Sequence, residues 1–210
     1  MSRIAPIERP WPDWFEAAME RTMPPETEPL TLFRTMARSE RGWRKFAGGS
    51  LLDRGPLSLR ERELVIDRTT ARCGCDYEWG VHVAMFGERA GLTREELAAT
   101  ATAGVDRTCW SGSEAALLEA VDALIDRKRL SGPEFDSLRS HYDDECIIEI
   151  VQLVAFYHGV SLLCGAFGLA PEAGMPTLPM GQSTATGAQR TGKHPPTDSH
   201  ERERSRKDRI

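Results

Sequence analysis

Between Leu30 and Leu169 apolar side chains recur at helical spacing, and no run alternates apolar with polar residues long enough for a strand. Punctuation divides this stretch into helices. Residues 29–38 (PLTLFRTMAR) and 40–53 read as two short amphipathic helices. Ser58 and Glu61 then form a capping box: the hydroxyl accepts one first-turn N–H, and the carboxylate reaches back to another. The helix they open runs through LRERELVIDRTTAR. A second long helix starts near Cys75 and runs to Ala90, stopped by Gly91. Capping boxes recur at Thr93/Glu96, Ser111/Glu114 and Ser131/Glu134, the last with Pro133 where a missing N–H costs little. The final helix, from about Asp144 to Phe167, is apolar nearly all round. The expected fold class is all-α, a helical bundle in a single domain, and no repeat at a fixed period is visible.

Composition sets the borders of that domain. The chain has 210 residues, 40% of them hydrophobic, enough for one domain with a core. Residues 1–28 form an N-terminal extension, residues 29–170 the helical domain, and residues 171–210 a tail. From Pro171 the chain turns to Gly, Pro, Thr and Ser, then to charge, and it lacks the apolar spacing needed to offset chain entropy. It is expected to be disordered. From Thr186 on the tail carries seven Lys or Arg against four acids, so a chain of net charge −5 leaves −8 on the rest. An acidic body argues against nucleic acid as the main partner.

Five cysteines are an odd number, and the N-terminus has no apolar signal-peptide core. Both point to free thiols and a cytoplasmic location. Residues 146–170 pass for a membrane span by length. Glu149, Gln152, His158 and Ser161 interrupt them, and two acids rather than basic residues precede them. A helix buried in a core or a subunit interface is expected instead.

The chemistry concentrates in CGCDYEWGVH, residues 73–82. On a helix at about 100° per residue, Cys75, Glu78 and His82 fall within an arc of about 60°. Cys75 sits where the helix dipole favours a thiolate. Glu63, twelve residues earlier on the preceding helix, faces His82 if the two helices pack as a hairpin. Two carboxylates, an imidazole and a thiol around one pocket are costly to bury without purpose. Glu78 and His82 also have the i, i+4 spacing of a metal pair, but two ligands are too few, so no metal is expected. Cys109, Cys146 and Cys164 read as small buried hydrophobes, Trp79 and Trp110 as packing residues, and His158 as a core histidine.

Residues 60–97, RERELVIDRTTARCGCDYEWGVHVAMFGERAGLTREEL, resemble the carboxymuconolactone decarboxylase family, which also contains the alkylhydroperoxidase D type of antioxidant enzyme. The closing helix IIEIVQLVAFYHGVSLLCGAFGL is similar too, and the resemblance spans about residues 29–170. By that resemblance Glu63, Cys75 and His82 match the relay glutamate, the first cysteine of a Cys-x-x-Cys and the histidine. Glu78 stands where the second cysteine belongs. A carboxylate cannot resolve a sulfenic acid, and it opposes formation of a thiolate at Cys75. Cys73 offers a strained Cys-x-Cys alternative, and a partner's thiol another.

The acid–base members of the family give the closer fit. His82 then transfers a proton, Glu78 or Glu63 orients it, and Arg60, Arg68 or Arg72 binds a substrate carboxylate. Entry of Tyr157 and His158 of the last helix into the site in an oligomer is the less expected arrangement. The expected function is cofactor-free decarboxylation or lactone/oxoacid conversion of a small carboxylic substrate. The alternatives are a Cys75-dependent alkylhydroperoxidase of peroxiredoxin type, served by an external thiol reductant, and a non-catalytic oligomeric binding protein. The resemblance implies a homotrimer or homohexamer. No membrane, nucleic-acid or cofactor partner is expected.

Overall fold

The computed structural model describes residues 2–179, and these form nine helices and no strand. They are α1 (Asp13–Thr22), α2 (Thr31–Met36), α3 (Glu40–Ala47), α4 (Leu59–Arg72), α5 (Asp76–Phe86), α6 (Arg94–Thr100), α7 (Gly112–Arg127), α8 (Gly132–Arg139) and α9 (Asp144–Phe167). All four capping boxes form with both of their hydrogen bonds.

α4 is the central strut and packs against α5, α6, α7 and α9. Its residues 63–70 are all buried, which hides any amphipathic period. Burying Leu64, Val65 and Ile66 completely contributes roughly 1.5–3 kcal/mol each. Three arginines tie α4 to α7: Arg60 to Glu114, Arg68 to Asp122 and Arg72 to Asp126. The pairs share one offset of 54 residues, so the two helices run parallel. Arg68, only 1% exposed, has its charge answered by a two-point grip on Asp122 (2.7 and 2.6 Å) and by the Thr100 and Thr102 carbonyls.

The turn from α4 to α5 sets the site. The Gly74 N–H donates to the Ala71 carbonyl and the Cys75 N–H to the Thr70 carbonyl, each at 2.9 Å, a Schellman closure that needs a left-handed residue between them. Gly74 supplies it with φ 64°. Open space surrounds the site of its missing Cβ, so backbone conformation is the only constraint. Gly74→Ala is expected to cost about 1–2 kcal/mol in urea unfolding. An unchanged midpoint would mean that the turn has another way to close.

Some boundaries differ from the sequence reading. The helix expected to reach Ala90 ends at Phe86, and residues 87–91 tighten into a turn in which the Leu92 N–H donates to the Gly87 carbonyl. The helix expected over 40–53 ends at Ala47, before the Gly48–Gly49 pair. The extension holds a helix that the sequence reading did not identify. Trp11, Phe15, Ala18 and Met19 pack against Ala37 and Trp43. Past the expected tail start at Pro171, Glu172 accepts hydrogen bonds from the Tyr77 hydroxyl and the Thr31 N–H. A side chain at Gly80 would collide with the Pro176 carbonyl, so glycine lets this segment lie on α5. The rest of the expected disordered tail lies outside the described residues.

α9 is long and apolar enough to cross a membrane by length and composition. One stripe of it, including Ile150, Leu153, Tyr157 and Cys164, is built into the core. The opposite face is not: Ile148 and Leu162 are 60% and 64% exposed. Burial on nearly all sides, as the sequence suggested, does not hold within one chain.

Candidate functional site

α4 and α5 pack side by side, and their buried faces bring Glu63, Glu78 and His82 together as the hairpin predicts. His82 Nδ1 lies 2.8 Å from Glu63 Oε2, and its Nε2 lies 3.5 Å from Glu78 Oε1. Glu63 is wholly buried, and its other oxygen accepts from the Arg62 guanidinium at 3.0 Å. A second Arg62 nitrogen donates to the Leu52 carbonyl. Tyr157 from α9 meets the imidazole edge-on at a centroid distance of 5.0 Å, and the Phe86 ring lies at 5.3 Å.

Burial alone would push the imidazole toward its neutral form. The hydrogen bonds and charges of Glu63 and Glu78 outweigh it, and the His82 pKa is pushed up to about 10. His82 is therefore an imidazolium at neutral pH, with Nδ1–H given to Glu63 and Nε2–H beside Glu78. Glu78 Oε2 is buried and has no hydrogen-bond partner among the described residues. Burial raises the Tyr157 phenol well above its usual range, so it stays neutral.

Glu78, His82, Arg62 and Tyr157 line one cavity of about 660 Å³. This lies within the roughly 300–1,000 Å³ usual for small-molecule sites. Phe33, Trp43, Phe46 and Phe156 give it aromatic walls. Arg21, Thr22 and Met23 close one side, so the N-terminal extension forms part of the wall. A run of ring contacts, Phe15–Trp43–Phe46–Phe156–Tyr157, links α1 to the His82 neighbourhood at centroid distances of 5.2–5.9 Å.

Cys75 caps the start of α5 and does not line the cavity. It is 7% exposed and belongs to the same buried core cluster as Cys164 of α9. The shared helical arc placed Cys75 with Glu78 and His82, but the left-handed turn at Gly74 puts it at the cap rather than inside the helix. Arg60, Arg68 and Arg72 are not carboxylate binders here, because all three are spent on the acids of α6 and α7. The arginines that line the cavity are Arg21, Arg54, Arg62 and Arg89, of which Arg62 is paired with Glu63. Tyr157 reaches the site within the same chain, so no oligomer is needed to deliver it, and His158 does not line the cavity. Trp79 donates to Thr100 Oγ1 at 3.1 Å, and Trp110 joins the core. Cys164 is buried as expected, but Cys146 is half-buried and Cys109 is exposed.

Asp67 was missed. It lies one turn after Glu63 on the same face of α4, a carboxylate pair at i, i+4 that was visible in the sequence. It is wholly buried, and neither oxygen has a hydrogen-bond partner among the described residues. Burial drives its pKa well above the usual carboxylate range, against the pull of the His82 charge, and so favours the protonated form. A folded pKa raised above 3.8 contributes stability that is present below pH 3.8 and lost as the pH climbs. Asp67→Asn carries no such dependence. Its stability relative to wild type is expected to rise from pH 4 upward, by at most about 1.4 kcal/mol per pH unit. A difference that stays flat across urea titrations at pH 4, 6 and 8 would show that Asp67 ionises freely.

The sequence profile of the carboxymuconolactone decarboxylase family matches residues 37–123, which span Glu63, Cys75, Glu78 and His82. No curated protein matches the chain. Among solved structures, an alkylhydroperoxidase AhpD core from Ralstonia eutropha JMP134, an uncharacterized peroxidase-related protein, superposes with a TM-score of 0.72 at 20% identity, covering 82% of this chain and 93% of that one. A peroxidase-related protein from Silicibacter sp. TM1040 gives 0.66 at 19% identity, covering 80% and 90%. A variant of the debrominase Bmp8, in complex with 2,3,4-tribromopyrrole, gives 0.65 at 19% identity, covering 81% and 91%. At these identities the likeness establishes the fold and leaves the chemistry to the site.

Proposed function

We propose, for a chain that is a carboxymuconolactone decarboxylase/AhpD-like family member, a cofactor-free acid–base enzyme acting on a small carboxylic substrate, by decarboxylation or lactone/oxoacid conversion. The observation that carries this reading is the Glu63–His82 pair, 2.8 Å apart, set against a cavity that His82 and Glu78 line and Cys75 does not.

Loss of CO₂ leaves an electron pair on carbon, delocalised as an enolate, and that carbon needs a proton. The His82 imidazolium supplies it from Nε2, while Glu63 fixes the ring through Nδ1 and stabilises its charge. The unpartnered Glu78 oxygen accepts a substrate hydroxyl or takes up a proton in the reverse sense. Arg62 and Arg89 provide positive potential for a carboxylate, and the aromatic walls favour a flat apolar body. An oligomer belongs to the same reading, a homotrimer or homohexamer, supported by the exposed apolar face of α9. Sedimentation of the full chain at a single-chain mass would remove it. The five free cysteines suit a cytoplasmic enzyme.

The test is a panel of β-oxoacids and carboxylated unsaturated lactones, followed by CO₂ release and loss of substrate absorbance. Turnover that depends on His82 and tolerates Cys75→Ala supports the reading. Peroxide turnover that needs Cys75, with no acid consumed, replaces it by the peroxidase. Thermal stabilisation by these acids without turnover replaces it by a binding protein.

A further inference from the structure

Past α9 the chain doubles back onto the helix that carries Glu78 and His82. The Leu178 N–H donates to Asp76 Oδ1 at 2.8 Å, and the Pro176 carbonyl sits where a side chain at Gly80 would stand. At about 100° per residue, Asp76 and Gly80 face the side of α5 opposite Glu78 and His82. Residues 172–178 therefore run behind α5, and the cavity lies in front of it. The same segment reaches α2. Glu172 Oε1 accepts from the Thr31 N–H and from the Tyr77 hydroxyl, and Oε2 accepts from the Thr31 hydroxyl at 3.2 Å. The Tyr77 hydroxyl in turn accepts the Leu32 N–H at 2.9 Å. We infer that Glu172 is a positioning residue for the cavity, fixing the wall that α2 supplies against the helix that supplies the carboxylate and the imidazole.

α2 needs that outside hold. It has six residues, too few for a helix to persist by itself, and the side chain of Leu30 at its N-cap cannot accept the first N–H groups. Glu172 takes the Thr31 N–H and Tyr77 takes the Leu32 N–H. Burial and the bond to Glu172 hold the Tyr77 phenol far above its usual value, so its proton stays in that bond. Leu30 and Phe33 carry the fixed position of α2 into the cavity wall, while Glu78, Val81, His82 and Met85 line the cavity from α5. One carboxylate thus joins three segments, two of which face the ligand space. Both α2 and residues 172–178 lie outside the stretch 37–123 that matches the family profile.

The first test needs no substrate, because the inference concerns the shape of the cavity. In Glu172→Ala the Thr31 and Leu32 amides are expected to exchange with deuterium about tenfold faster, the factor that one net hydrogen bond sustains. The side-chain NMR signals of Phe33 and His82 should both shift. Glu172→Gln should restore the wild-type behaviour, because the two bonds made to Oε1 can be kept by an amide oxygen. Tyr77→Phe, which removes the linking hydroxyl, should reproduce the effect at Leu32. Unchanged exchange would overturn the inference. So would faster exchange with the Phe33 and His82 signals unmoved, which would reduce the contact to a local brace.

A second arm rests on the acid–base reading. For an acid that the enzyme turns over, Glu172→Ala is expected to raise KM about tenfold and leave kcat near wild type, since a wall binds substrate and transition state alike. A fall in kcat at unchanged KM would count against a positioning role. A panel with no turnover removes the acid–base reading alone, and exchange and NMR then decide.

Discussion

Glu63→Leu is expected to lower the stability of the folded chain by about 3–5 kcal/mol at neutral pH, the usual loss when one member of a buried ionic cluster is removed. Glu63 has no exposed surface and answers two cations at once, Arg62 at 3.0 Å and His82 at 2.8 Å. Without it the guanidinium keeps the Leu52 carbonyl and the imidazole keeps only Glu78 at 3.5 Å. The pH dependence carries the sharper signature. His82 has a folded pKa of about 10 against an ordinary 6.5. The stability it contributes is complete below pH 6.5 and drains away as the pH rises toward 10. At about 1.4 kcal/mol per unit, the wild type loses a few kcal/mol over that window. In Glu63→Leu the imidazole pKa falls and the window narrows. Glu63→Gln, which keeps the packing, should narrow it too. Urea midpoints at pH 6, 8 and 10, with the His82 ring followed by NMR, decide the matter. Parallel pH profiles for variant and wild type would mean that Glu63 does not hold the charge on His82.

His82→Gln is expected to cut turnover of the acid substrate by about 10²–10⁴-fold, the range that a positioned proton donor supplies. The effect should fall on kcat more than on KM, because the lost interaction is with the protonating transition state rather than with the bound acid. Glutamine preserves much of the volume and can still hydrogen-bond Glu63, so the fold is expected to survive. A charged donor with its pKa near 10 also predicts activity that declines in alkali as the imidazolium is lost. Equal kcat values for wild type and variant would remove His82 from the chemistry and leave the cavity as a binding site.

Legibility in the sequence followed the range of the interactions involved. The four capping boxes, at Ser58, Thr93, Ser111 and Ser131, were readable because each bond closes within three residues. The meeting of Glu63 with His82 was readable because two helices joined by one short turn leave few relative arrangements. The α1 helix was missed because its apolar face is complete only against Trp43 of α3. Arg62 was passed over for Arg60, Arg68 and Arg72 because a flexible side chain carries no directional signal of its own. Its direction is fixed by Leu52 and Glu63, as theirs is by Glu96, Glu114, Asp122 and Asp126.

Alone, the sequence determined an all-helical chain, the starts of its capped helices and a carboxylate–imidazole pair on neighbouring helices, because hydrogen bonds between near neighbours and a single helix hairpin fix those. The tertiary structure decided that Cys75 stands at the α5 cap outside the cavity, which arginines line that cavity, and that residues 21–23 form part of its wall. Those contacts join segments far apart in the chain, and their geometry comes from how whole helices pack, which no local pattern encodes.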